Sequence, residues 1–444
     1  MNRAESRLAP GMPLWMAGLG ICLGVWLARE QWLYSVAVVA CLVLAMWPVE
    51  ATLGTYAFLL PFDSVTRLGS SPDGRTLTFY LGALTAVVLL GVGLSGQRLK
   101  FPPRISKYWL AFVAWGVLTV FWALDEHAVL KEVPTVLGLA GLYLVAVCFQ
   151  ISKQQLSRIA FLTVAGGVAA SLFSIEKFFV GVSTIEARSS LIAGTQQADP
   201  NIFAASLVIP LALAVAEAGS TKNVSRKIMM LLASAIITLA ILLTMSRGAL
   251  VALIVMGAIY ANRLKLKRWA VVWLAVLGAG FCALPSLFFL RLQSALATGG
   301  AGRLDIWVAG LSALKHFALQ GAGLENFDVA YGQYAGFAPI FRGYNRAAHN
   351  IYLQIAVEFG ITGAALLLLA IHGHLREFQC TQALQSNARS NPLVLACETM
   401  TAGMLVCAFF VGLLWEKSFW MVWIFCAFSI QTTRASSAPV AIRA

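Results

Sequence analysis

AGRLDIWVAGLSALKHFALQGAGLENFDVAYGQYAGFAPIFRGYNRAAHNIYLQIAVEFG, residues 301–360, is the polar stretch around which the chain is organised. It carries Arg303, Arg342, Arg346 and His349, and a long apolar run resumes after Asn350. The flanks are hydrophobic: of 444 residues, 59% are apolar and 11% charged, too greasy a balance for a soluble fold of this size. The apolar runs extend for roughly 15 to 22 residues without short alternation, which predicts spanning helices and not barrel strands. A polar island between such runs has to be held at the bilayer surface.

Working outward, the sequence reads as an all-α polytopic membrane protein with one membrane domain over 1–444 and about 12 to 14 transmembrane helices. Spans are expected at 12–28, 32–48, a short one at 49–62, then 76–96, 108–124, 130–149, 157–175, 201–217, 227–245, 248–261 and 268–290. Three more follow, one after Asn350 and two over about 393–412 and 414–430. The first apolar run lacks a small-residue cleavage site and reads as a retained span. With the N-terminus inside, the inside connectors and tails hold 19 of the 32 Lys and Arg and the opposite face 13. The positive-inside rule then puts both termini in the cytoplasm, and a large loop, 291–349, and a smaller one, 176–200, outside. The net charge of +13 lies mainly in short connectors such as NRLKLKR at 262–268, so no nucleic-acid partner is implied. Eight cysteines are scattered without a CxxC or His/Cys cluster, which points to neither a metal site nor a disulfide framework.

Two of the external arginines ahead of the large loop stand out. Arg188 stands ahead of GTQQADPN, where Pro200-Asn201 reads as a helix start with the Asn side chain as cap. Arg247 sits in Ser246-Arg247-Gly248, the tightest outside turn between two apolar helices. Both arginines can be read as headgroup contacts that snorkel to the interface. A three-residue turn, however, gives the Arg247 guanidinium little freedom, which suits a fixed pocket wall.

Within the large loop, Leu304, Trp307, Val308, Leu311 and Leu314 recur at three and four and predict an amphipathic helix on the membrane surface or over the mouth of the bundle, stopped by Gly321 and Gly323. The following ENFDVAYGQYAGFAPIFRGYN interleaves aromatics, Tyr344 among them, with glycine, as a sugar-binding loop or an interface belt would. Asn350, Gln354 and Glu358 form one polar stripe on the next helix, expected to face the bundle interior. His372 and His374 fall in a connector on the cytoplasmic side and are discounted. Glu416 and Lys417 face outside and need no functional explanation.

Arginines and one histidine, with no Walker loop, dinucleotide fingerprint or HExxH, suit glycosyl transfer from a lipid diphosphate. The diphosphate is already a leaving group; arginine forks match its growing charge, and His349 can orient or deprotonate an acceptor hydroxyl. Arg188 ahead of GTQQADPN, the TMSRG turn, GRLDIW at 302–307 and RAAHNIYLQIAVEFGITG at 346–363 resemble, in that order, the O-antigen ligase and O-antigen polymerase superfamily of bacterial envelope proteins. The resemblance implies an all-membrane glycosyltransferase that takes a glycan from undecaprenyl diphosphate at the periplasmic face of the inner membrane, without metal or cofactor. It also implies that Arg188 and Arg247 face the diphosphate and that His349 is the acceptor-side catalytic histidine. Arg303, Arg342, Arg346, Tyr344 and Asn350 are the further candidates for substrate contact. One long external loop rich in arginine suits a ligase whose acceptor is the anionic lipid A-core. A polymerase with a second lipid-linked glycan as acceptor, a transferase to protein, and a transporter are the competing readings.

Overall fold

The computed structural model describes residues 46–68, 74–181, 188–263, 302–383 and 392–437, and residues 289, 290, 293 and 300 besides. It is a helical bundle whose only sheet among the described residues is a two-stranded hairpin, β1 (Ile192–Ala193) with β2 (Gln196–Gln197). The helices are α1 (Thr55–Leu59), α2 (Leu77–Ser95), α3 (Ser106–Leu118), α4 (Glu126–Cys148), α5 (Lys153–Val180), α6 (Pro200–Ser206), α7 (Val208–Ser220), α8 (Val224–Leu243) and α9 (Arg247–Arg263). After the large loop's α10 (Arg303–His316) and α11 (Phe327–Tyr334) come α12 (Ile351–Ala383), α13 (Pro392–Ala408) and α14 (Lys417–Ser437). Six stretches are long and apolar enough to cross a membrane: Leu77–Ser95, Glu126–Cys148, Lys153–Val180, Pro200–Ser220, Val224–Leu243 and Ile351–Thr381. Ser106–Phe121 and Pro392–Ala408 are shorter apolar helices. The expected spans at 12–28, most of 32–48 and nearly all of 268–290 lie outside the described residues.

Why the bundle packs as it does can be read from its small residues. The expected short span at 49–62 is a mixed run of π turn (Glu50–Gly54), α1 and a 3-10 turn (Leu60–Val65). It lies so close to α5 that a Cβ on Gly166 would sit 2.1 Å from the Phe58 carbonyl oxygen. Glu50 is buried at one end of this run and meets Arg158 at 3.0 Å. Arg226–Glu217, Arg263–Glu398 and Arg434–Glu377 close the same end of the bundle. At the opposite end sit the turns that carry the site.

Two sequence expectations are corrected. First, α12 is not one continuous span: Gly360 breaks it with φ 66° and ψ −170°. That region of backbone space is open essentially to glycine alone. The break arises because residues 318–323 lie across the helix, with Ala322 N donating to Val357 O (2.8 Å), Gly323 N to Glu358 O (2.8 Å) and Ile361 N to Ala318 O (2.7 Å). Gly321 (φ 81°) makes the same approach possible from its side, since a Cβ there would fall 2.1 Å from Glu358 O. Gly360→Ala is therefore expected to cost about 1–3 kcal/mol in backbone strain alone. A Cβ would in addition meet Leu319 O at 2.4 Å. The apparent melting temperature in detergent should drop by several degrees, and an unchanged melt would contradict this account of the break.

Second, α12 runs on to Ala383, so His374 is not in a connector. It is 1% exposed, 3.3 Å from Tyr143 Oη through Nε2 and stacked on Trp423 at 5.0 Å. Trp109, Trp420 and Tyr143 complete this aromatic interior.

The helix expected in the large loop is α10, and its two faces differ. Ile306, Ala309, Gly310 and Ala313 pack inward while Leu304, Val308 and Leu311 are exposed. Small residues let α10 approach Phe327 and Leu353 closely, the Gly310 Cβ position lying 3.1 Å from each side chain. The larger apolar side chains are left pointing out, where a bilayer rather than protein would cover them.

Candidate functional site

The site is assembled from turns at one end of the bundle. Arg188 is 9% exposed, and its guanidinium donates from Nε to Thr244 O (2.7 Å) and from Nη2 to Asn201 Oδ1 (2.8 Å). Those two acceptors tie the 188–191 segment to the turn between α8 and α9 and to the start of α6. In that turn Met245 takes a left-handed φ of 52°, after which Arg247 opens α9. Arg188 thus braces the turn that presents Arg247. The hairpin after Arg188 is held in turn by Gln196, whose side chain pairs with the Arg67 backbone in both directions, at 2.9 and 2.8 Å.

The cap of α6 corrects the sequence reading. Asp199, not Asn201, is the N-cap, accepting from Asn201 N (2.6 Å) and Ile202 N (3.2 Å) through Oδ1. Asn201 instead spends its side chain on Arg188. Asp-Pro before an apolar run is a cap signal in its own right, so Asp199 was legible as a cap but not as a neighbour of the arginines.

Arg303 opens α10 behind Gly302, which takes a φ of 80°. Withdrawal from water, and then the guanidinium of Arg247, lower its pKa, while Asp199 acts in the opposite direction. His349 adopts a left-handed φ of 48° just before α12. Its pKa is depressed first by burial, then by Arg303 and Arg346, and again Asp199 opposes. Arg247, Arg303, Arg346, His349 and Asp199 therefore share one electrostatic neighbourhood. Two of its arginines stand at helix N-termini, whose unpaired N–H groups add positive potential. An imidazole in such company is neutral at physiological pH and accepts protons.

The other predicted residues, and Arg346 itself, have further contacts. Arg342 is paired with Asp305, with Nε and Nη2 each 2.6 Å from Oδ2, and lies over Gly302. Arg346 is exposed and donates from Nε to the Arg342 carbonyl (2.6 Å). Tyr344 is 70% exposed, with its ring 5.0 Å from Phe341. Asn350 is 5% exposed and caps α12, its Oδ1 accepting from Tyr352 N (3.0 Å) and Leu353 N (3.1 Å). Glu358 is 1% exposed and accepts from Gln354 Nε2 at 3.1 Å, so the polar stripe does face inward.

Beside the basic basin lies an acidic neighbourhood that sequence reasoning passed over. Lys417 pairs not with Glu416 but with Asp63, at 2.9 Å across the bundle. The Glu416 carboxyl is pushed up to about 7, by burial first and next by the Asp63 carboxylate, with Lys417 opposing. A carboxyl whose folded-state pKa is raised binds its proton more tightly when folded. Its stabilising contribution is present on the acid side and is lost as pH rises from the ordinary Glu range through about 7. Glu416→Gln is expected to flatten the decline in melting temperature between about pH 5 and 8; an identical slope in the variant would refute the assignment.

Residues 232–368 match the O-Antigen ligase family. The match covers roughly a third of the chain, and takes in Arg247, Arg303, Arg342, Arg346 and His349 but not Arg188. No curated protein matches the chain.

Proposed function

We propose that this polytopic helical protein, with its O-antigen ligase family region, is a glycosyltransferase that moves a glycan from undecaprenyl diphosphate to lipid A-core. The observation that carries the reading is the grouping of Arg247, Arg303 and His349 in one neighbourhood, inside the matched region, with Arg188 bracing the turn beneath Arg247. The site end is the periplasmic face of the inner membrane, both termini being cytoplasmic by the distribution of lysine and arginine.

In this reading the guanidinium groups meet the donor diphosphate, whose negative charge grows as the glycosidic C–O bond breaks. The acceptor hydroxyl oxygen forms the new bond to the anomeric carbon, its proton passing to the neutral His349 imidazole. The electron pair of the broken bond leaves with the diphosphate. Arg346 and Tyr344, both exposed at the loop surface, suit contacts to a large anionic or sugar acceptor. The outward apolar residues of α10 suit contact with membrane lipid.

The test is purified protein in detergent with undecaprenyl-diphosphate glycan, EDTA present, and lipid A-core supplied or omitted. Glycan on lipid A-core is the expected product. Longer lipid-linked glycan without core would make the protein a polymerase, and no transfer in either tube by folded protein would favour a transporter.

A further inference from the structure

Asn201 carries a side chain that its own helix does not use. Asp199 caps α6 and takes the Asn201 N–H at 2.6 Å, so the Asn201 backbone is fixed while its amide reaches elsewhere. The amide oxygen accepts from Arg188 Nη2 (2.8 Å), and the same edge of that guanidinium gives Nε to Thr244 O (2.7 Å). Thr244 closes α8, at the end of a helix where carbonyls lack intrahelical partners and a cation is favoured. The next residue, Met245, takes a left-handed φ of 52°, and Arg247 then opens α9.

Further contacts leave this turn little room to move. Ser189 N donates to Leu243 O (3.0 Å), and the Ser189 hydroxyl to Ser174 O on α5 (3.2 Å). At the start of α9, a Cβ on Gly248 would fall 2.7 Å from Phe410 Cβ. The first turn of α9 is therefore held by packing on Phe410 and by the arm of Arg188. Asn201 is the side chain that sets the angle of that arm.

We propose that Asn201 is a positioning residue for Arg247: by holding Nη2 of Arg188 it locks that guanidinium on Thr244 O, and so fixes the direction in which the α8–α9 turn presents the Arg247 fork to the donor diphosphate. The proposal rests on the glycosyl-transfer reading above. Two bonds along one planar edge orient a guanidinium as a single bond does not. With the Asn201 acceptor removed, the edge loses one of its two holds, and the turn that carries Arg247 loosens with it.

The experiment is a double-mutant cycle of wild type, Asn201→Ala, Arg247→Lys and the pair, in detergent with undecaprenyl-diphosphate glycan as donor and lipid A-core as acceptor. Asn201→Ala is expected to lower kcat by about 10- to 100-fold, since a misplacement of about 1 Å can cost about 10²-fold. The KM for lipid A-core should stay level. In the Arg247→Lys background, where the fork is already gone, the same change should cost less than about threefold, because residues that act as one unit are not additive. Equilibrium binding of glycan-free undecaprenyl diphosphate should show the same non-additivity without relying on transfer. Equal fold-losses in both backgrounds would make Asn201 a merely structural contact and overturn the proposal, leaving the glycosyl-transfer reading in place. No transfer by folded wild type would overturn that reading and this proposal with it. Should Asn201→Ala misfold, Asn201→Leu, close in volume and without an acceptor, carries the same expectations.

Discussion

His349→Ala is expected to lower turnover by about 10²- to 10⁴-fold, the range lost when a general base is removed, while the protein remains inserted and folded. His349 occupies a left-handed φ of 48°, immediately before the residue that caps α12. Burial and two arginines keep its imidazole neutral, so wild-type kcat/KM should rise with pH through a limb lying on the acid side of an ordinary histidine. The variant should lose both the rate and the limb. Near-normal turnover by purified, correctly melting His349→Ala would remove the residue from the mechanism.

Arg247→Lys should cost about 10²-fold or more in kcat, comparable to losing one preorganised donor to a developing anion, although the charge is kept. Arg247 begins α9 directly after a turn strained at Met245 and clamped from below by Arg188 through Thr244 O. A guanidinium launched from such a base offers a planar fork in a fixed direction. An ammonium on a flexible stem cannot reproduce two parallel bonds to phosphoryl oxygens. Arg188→Lys would disturb the same turn, but its loss mixes bracing with binding, which makes Arg247 the cleaner probe. Full activity in Arg247→Lys would reduce this arginine to a headgroup anchor.

How far the chain could be read beforehand depended on the range of each interaction. Hydropathy marked the crossings at 76–96 and 130–149 because each helix's apolar length is a local property, and α2 and α4 lie there. The pairing of Lys417 with Asp63 joins residues at opposite ends of the sequence, and no local pattern announces it. That Arg342 pairs with Asp305 was equally hidden, because the two stand 37 residues apart. Periodicity found the large apolar side chains of α10, but not that Ala309, Gly310 and Ala313 are the ones packed against protein, as small residues often are in membrane proteins. The break at Gly360 was hidden because GITGAALLLLAI continues the apolar run without interruption. Only the backbone of 318–323, folded back from the large loop, forces the helix to part there.

That break has a mechanical consequence. On one side of Gly360 runs the long shaft of α12; on the other, Ile351 to Phe359 is a short rod whose Ile351, Ile355 and Phe359 join the bundle core, and His349 sits at its far end. The rod is stitched to residues 318–323 by backbone bonds, while the indole of Trp115 holds Phe359 O (2.9 Å) and that of Trp122 holds Gln320 O (3.2 Å). Asn326 grips the Asp125 backbone from the same strap, accepting from its N–H at 2.6 Å and donating to its carbonyl at 3.0 Å. The His349 backbone therefore takes its bearings from a rod that the strap, α3 and the core hold together, offset from the shaft by the break. The broken helix thus works as a splice rather than a beam: one glycine lets the chain change direction, so that the segment bearing His349 is set by the 318–323 backbone as well as by the bundle.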